Sequence, residues 1–102
     1  MTAAVGDTLA LGRANGIDGA TMMALFQEFK PGSALHMVED RIATSEEGTA
    51  SFEMTMAQKD ARLTKEASGD EHLYVLPAVI EGMQRGIDLG RGGADFAAFA
   101  KP

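Results

Sequence analysis

The chain has 102 residues, 45% of them hydrophobic and 24% charged, with a formal net charge of −6 and no cysteine. That length allows one small domain with a modest core, the composition excludes a disordered tail, and the missing cysteines exclude disulfides and thiolate chemistry. An acidic balance without a Lys/Arg cluster argues against nucleic-acid binding, and no apolar run approaches a membrane span or a signal peptide, so a cytoplasmic protein is the default.

Helix-forming residues dominate, and only Leu73-Tyr74-Val75-Leu76 resembles a short β run before Pro77 ends it. Thr2 to Ala14 reads as a first helix with Val5, Leu9 and Ala10 inward; Gly6 and Gly12 weaken it by roughly a kcal/mol each. Asn15-Gly16 supplies a left-handed stop. Asp18 is placed to cap a second helix whose buried side carries Met22, Leu25, Phe26 and Phe29. Lys30-Pro31-Gly32 breaks the chain, and Ser33 can cap a third helix to about Ala43, with Leu35, Val38 and Ile42 as its stripe.

Thr44 to Ala50 is polar and reads as a loop. Ser51 to Ala67 is the least ambiguous helix, with Thr49 or Ser51 as its cap. Phe52, Met56, Leu63 and Ala67 form one stripe, widened by Met54, Ala57 and Ala61, and Lys59 and Asp60 lie near its flank. Pro77 fits the first turn of a fifth helix, where Leu76, Val79, Ile80, Met83 and Ile87 make the cleanest stripe of the chain. Gly90-Arg91-Gly92-Gly93 is a break, and Asp95 or its predecessor starts a short last helix that inserts Phe96 and Phe99. The expected fold is all-α, a compact bundle of about six short helices in a single domain spanning residues 1–102.

Few residues suggest chemistry by spacing alone. Lys59, taken alone, reads as a solvated helix lysine; beside an apolar wall, however, its ammonium could donate to a ribose hydroxyl, a carbonyl or a carboxylate. His36, Glu39 and Asp40 have the spacing to share a helix face, and Asp70-Glu71-His72 is a second weak cluster. Neither matches a closed metal motif, and no metal is expected. The glycine-rich stretch completes neither a dinucleotide-binding nor a P-loop pattern, and the seven methionines read as core filler.

Ser51-Phe52-Glu53-Met54-Thr55-Met56-Ala57-Gln58-Lys59-Asp60-Ala61-Arg62-Leu63 resembles a helix of the β-hydroxyacid dehydrogenase family, which includes 3-hydroxyisobutyrate dehydrogenases and tartronate semialdehyde reductases. In that family an aromatic precedes a Lys-Asp pair by seven residues and a leucine follows three residues later; Phe52, Lys59, Asp60 and Leu63 fit. Leu9 to Asp18 is similar to the family's helix ending in a Gly-Ile-Asp turn, and Lys30 to Ala34 to its Gly-Ser break. Leu76-Pro77, the helix after it and Ala94 to Ala98 are similar to its C-terminal end.

The resemblance implies that residues 1–102 are most of a C-terminal helical domain, with the N-terminal Rossmann domain and part of the first helix absent from this chain. It implies NAD or NADP as cofactor with Lys59 and Phe52 as contacts, Asp60 on the cleft wall near a small-molecule 3-hydroxy acid or semialdehyde, and no metal. The catalytic lysine is expected upstream, leaving no catalytic residue here and the isolated chain inactive. The helical domain is also expected to build a homodimer or higher homo-oligomer, with no nucleic-acid or membrane partner. The alternative is a non-enzymatic helical interaction module using the same stripes for oligomerisation.

Overall fold

Some helix ends are set by neighbouring residues and others by partners far along the chain. A computed structural model describes all residues 1–102 and contains five α-helices and no strand. Helix α1 spans Thr2–Ala14 and ends at Gly16, whose φ of +70° is readily adopted only by glycine among common residues. The Asp18 carboxylate accepts from the Thr21 N–H at 2.8 Å and so starts α2, Gly19–Glu28. A 3₁₀ turn, Pro31–Ala34, leads into α3, Leu35–Ala43; the Ser33 hydroxyl donates to the Lys30 carbonyl rather than capping α3. Helices α4, Met54–Ala67, and α5, Leu76–Gly86, follow, with Pro77 in the first turn of α5. A π turn, Ile87–Arg91, and a 3₁₀ turn, Phe96–Ala100, complete the chain.

The all-α expectation holds, but there are five α-helices rather than six. The segment after Asp95 is tightened into a 3₁₀ turn, which Asp95 caps by accepting from Ala97 N–H at 3.2 Å. No helix is long and apolar enough to cross a membrane.

The core lies between α4, α5 and the C-terminal turn. Met54, Ala57, Met83 and Ala98 are its buried centre, with Val79, Ile87, Phe96 and Phe99 packed around it. Close approach of α4 and α5 depends on Gly86, where an added Cβ would lie 2.5 Å from Met54 Sδ. Gly12, read from sequence only as a weak point of α1, is buried beside α2, and a Cβ there would overlap Met22 Cγ.

Polar anchors attach α1 to this core. Asp7 of α1 accepts three backbone hydrogen bonds at the start of α5, from Tyr74 (2.6 Å), Val75 and Leu76 (both 2.9 Å). The Arg13 guanidinium clasps Glu71 at 2.8 and 2.7 Å, and the Asn15 amide donates to the Ala67 carbonyl at 2.8 Å. Helices α2 and α3 bury no residue at all. Of the apolar side expected on α2, Met22 and Phe26 are half-buried while Leu25 and Phe29 point to solvent; on α3, Leu35 and Val38 are likewise exposed. Only Met22 and Phe26 of the side expected to be buried on α2, and Ile42 of the stripe expected on α3, are even partly covered.

Candidate functional site

Helix α4 begins three residues later than its sequence suggests, and its start is set from far along the chain. Glu53 holds an extended conformation and pairs as an isolated bridge with Asp95. The Met54 N–H then donates to Ala94 O (2.9 Å), and the Thr55 N–H donates to Gly92 O (3.1 Å). Neither Thr49 nor Ser51 caps the helix. The glycine-rich stretch thus serves the fold, because the Gly92 carbonyl, like that of Ala94 just after it, accepts from a helix N–H that would otherwise lack a partner.

This start fixes the rotation of α4. Met54, Ala57 and Gln58 are buried, and Ala61, Thr64 and Ser68 continue the same face. Gln58 donates to Ile80 O at 3.2 Å and to the Gln84 side chain at 2.9 Å, which satisfies a polar group inside the core. The stripe expected from Phe52, Met56, Leu63 and Ala67 faces the other way. Met56 is 46% and Leu63 53% exposed, so the residues that seemed only to widen the stripe form its buried centre. Phe52 precedes the helix and rests edge-on against Phe96, with ring centroids 5.8 Å apart.

Lys59 and Asp60 therefore lie on the solvent side, between Met56 and Leu63 at three- and four-residue spacings. Lys59 forms no ion pair and no side-chain hydrogen bond, and the Asp60 carboxylate has no partner either. No hydrogen bond joins Phe52, Lys59 and Asp60 to one another. The outer face of α4 is thus an apolar strip with a free cation and a free anion at its middle. His36, Glu39 and Asp40 are all exposed on α3 and are not drawn together into a metal-holding group.

The main surface depressions lie elsewhere, and two lie beside the elements already described. A polar groove of about 670 Å³ runs along α3 past His36, Asp40, Glu47 and Ser51. An apolar cleft of about 230 Å³ separates α1, α4 and α5, lined by Leu11, Leu73, Val79 and the Asp7 carboxylate. Neither includes Phe52, Lys59 or Asp60.

Behind Phe52 sits a polar knot that spacing does not reveal. Asp95 accepts from Arg41 Nε (2.9 Å) and Arg41 Nη2 (3.0 Å), from the Ser51 hydroxyl (2.9 Å) and from the Phe52 N–H (3.4 Å). The Arg41 guanidinium also lies 4.5 Å from the Phe96 ring centroid. Arg41, Ser51 and nearby N–H groups hold the Asp95 carboxyl far below the usual carboxylate range, against the opposing effect of burial. Asp95 is recognisable from sequence as a cap; its pairing with a residue on α3 leaves no local signal.

Comparison with known proteins adds no identity. No family model and no curated protein matches the chain.

Proposed function

We propose that this chain is the helical domain of an NAD(P)-dependent oxidoreductase of the β-hydroxyacid dehydrogenase type, with the outer face of α4 as one wall of the cofactor and substrate cleft. The observation that carries this reading is the unpaired Lys59 ammonium, exposed between Met56 and Leu63 on a face turned away from the core. A free ammonium beside apolar side chains suits the nicotinamide half of a dinucleotide, which offers a flat ring together with carbonyl and hydroxyl acceptors. Phe52, steadied by Phe96, supplies a further apolar surface at the foot of the helix.

A nicotinamide held against this face would supply hydride exchange with the carbinol or aldehyde carbon of a small 3-hydroxy acid or semialdehyde. Lys59 donates hydrogen bonds that orient the ring, contributing by positioning rather than by proton transfer. The Asp60 carboxylate accepts from a hydroxyl at the cleft edge. Proton exchange with the substrate oxygen belongs to a lysine of a second, nucleotide-binding domain, and the 102 residues alone have no turnover. A non-enzymatic interaction module is the second reading, favoured by the uncovered apolar sides of α2 and α3 and by the absence of Lys59 from the four main depressions.

The test joins this chain to the coding sequence that precedes it and assays NADH- and NADPH-dependent reduction of a panel of small semialdehydes. Lys59→Ala is expected to raise the cofactor KM at least tenfold with unchanged thermal stability. A protein inert with every substrate, or a cofactor KM that Lys59→Ala leaves unaltered, refutes the assignment.

A further inference from the structure

Helix α1 is tied to the body of the domain by polar contacts from Asp7, Arg13 and Asn15. Its apolar side does not close fully on the helices it faces. Leu11 of α1, Leu73 and Val79 of α5 instead wall the cleft of about 230 Å³ between α1, α4 and α5.

The hydrogen-bonding character of this cleft is one-sided. Asp7, Thr8, Thr64 and Ser68 are the polar side chains that line it. Each of the three hydroxyls gives its single hydrogen to the carbonyl four residues before it. Thr8 donates to Ala4 O at 3.0 Å, Thr64 to Asp60 O at 2.9 Å and Ser68 to Thr64 O at 3.0 Å. Their oxygens keep lone pairs and have no hydrogen left to offer. The N–H groups that open α5 are committed as well, since Tyr74, Val75 and Leu76 all donate to Asp7.

Asp7 itself retains acceptor capacity. A carboxylate has about four acceptor positions, and the backbone takes three: two at Oδ2 and one at Oδ1. No Lys, Arg or His side chain lines the cleft to neutralise it. The cavity therefore offers an apolar wall, acceptors only, and one negative charge.

That combination selects a class of ligand. A carboxylate or phosphate would meet acceptors and a like charge, and it would lose its hydration without replacement. A molecule that brings donors, a positive charge and a short hydrocarbon chain matches every wall at once. Size narrows it further. The volume is below the ~300–1,000 Å³ of sites for drug-sized molecules, which points to a small occupant. An apolar cavity of ~150 Å³ already takes up benzene, so a chain of roughly four to six carbons fits.

We propose that the cleft between α1, α4 and α5 binds a short-chain primary aliphatic ammonium. Its alkyl chain lies against Leu11, Leu73 and Val79, and its N–H groups donate to Asp7 and the threonine oxygens. The site uses no side chain from the outer face of α4 and stands whether or not the dehydrogenase reading does.

The experiment follows backbone amide chemical shifts of the 102-residue chain during titration with n-butylammonium, n-butanol and butyrate at matched ionic strength. Butylammonium is expected to give saturable shifts confined to α1, the C-terminal half of α4 and the start of α5. Butanol should bind at least tenfold more weakly, and butyrate should not saturate. Asp7→Asn, which removes the charge, should weaken butylammonium at least tenfold. Because Asp7 also caps α5, Thr8→Val/Thr64→Val supplies an independent reading: it keeps shape and charge, removes two acceptors, and should weaken binding severalfold. Ala4→Leu, at an exposed position on the rim, should obstruct entry without touching the core. Absence of saturable shifts with butylammonium overturns the proposal. So does binding of butanol or butyrate as tight as that of butylammonium, or affinity left unchanged by both Asp7→Asn and Thr8→Val/Thr64→Val.

Discussion

The guanidinium of Arg41 holds the carboxylate of Asp95 with two hydrogen bonds, 2.9 and 3.0 Å long, across 54 positions of sequence. This pair closes α3 onto the turn that begins the C-terminal 3₁₀ segment. Through Ser51 Oγ and Phe52 N–H it also sets the path of the chain into α4. One ion pair thus governs both the attachment of the exposed arm and the position of Phe52.

Removing the carboxylate should therefore be costly. Asp95→Ala leaves the Ala97 and Phe52 N–H groups without their acceptor and is expected to destabilise the chain by about 2–3 kcal/mol, measured by urea denaturation. The carboxyl titrates lower in the folded chain than in the unfolded one, so its contribution is complete above a pH of about 4 and is lost as pH falls further. Asp95→Asn should accordingly show a shallower loss of stability on the acid side than the wild type. An acid limb identical in the two proteins would contradict the assignment.

The two faces of α4 should respond in opposite ways. Met54 is fully buried, and Met54→Ala is expected to cost about 2–5 kcal/mol. Met56→Ala, Leu63→Ala and Lys59→Ala should each stay within about 0.5 kcal/mol of the wild type, because these side chains face solvent. Thermal unfolding of the four variants decides it; a loss at Leu63 comparable to that at Met54 would mean that the helix is rotated otherwise.

Gly86→Ala pits helix propensity against packing. Alanine gains up to about 1 kcal/mol in a helix interior, but the new methyl would meet the Sδ of Met54, which has no room to move. Overpacking of this kind costs about 1–3 kcal/mol, so a net loss is expected in the melting temperature. Gly12→Ala should cost at least as much, since the new methyl would overlap Cγ of Met22 and lie 3.1 Å from the backbone carbonyl oxygen of Ile17.

Asp7 caps a helix that is not its own. Burial acts to raise its pKa, but the N–H groups of Tyr74, Leu76 and Val75 outweigh that and hold it below the ordinary value. Asp7→Ala should cost about 1–2 kcal/mol, with hydrogen exchange accelerating first in the opening turn of α5. Uniform exchange across α5 and α1 would argue against this link.

Sequence alone determined the order and character of the helices, because their signals are local. Asp18 before Gly19, Gly16 after α1, Pro77 at the start of α5 and the recurrence of Leu76, Val79, Ile80, Met83 and Ile87 need only short-range sterics, capping and a 3.6-residue period. The tertiary structure alone decided which way α4 turns. Both sides of that helix carry apolar residues, and the larger ones, Phe52, Met56 and Leu63, favour the wrong side. Met54, Ala57 and Ala61 face the core because Gly86 of α5 leaves room for the Met54 side chain, and because the carbonyls of Gly92 and Ala94 fix where α4 begins. The same decision leaves Lys59 and Asp60 on the outer face. No periodicity could have placed them there, since packing across about 30 or 40 residues leaves no trace in the spacing of a single helix.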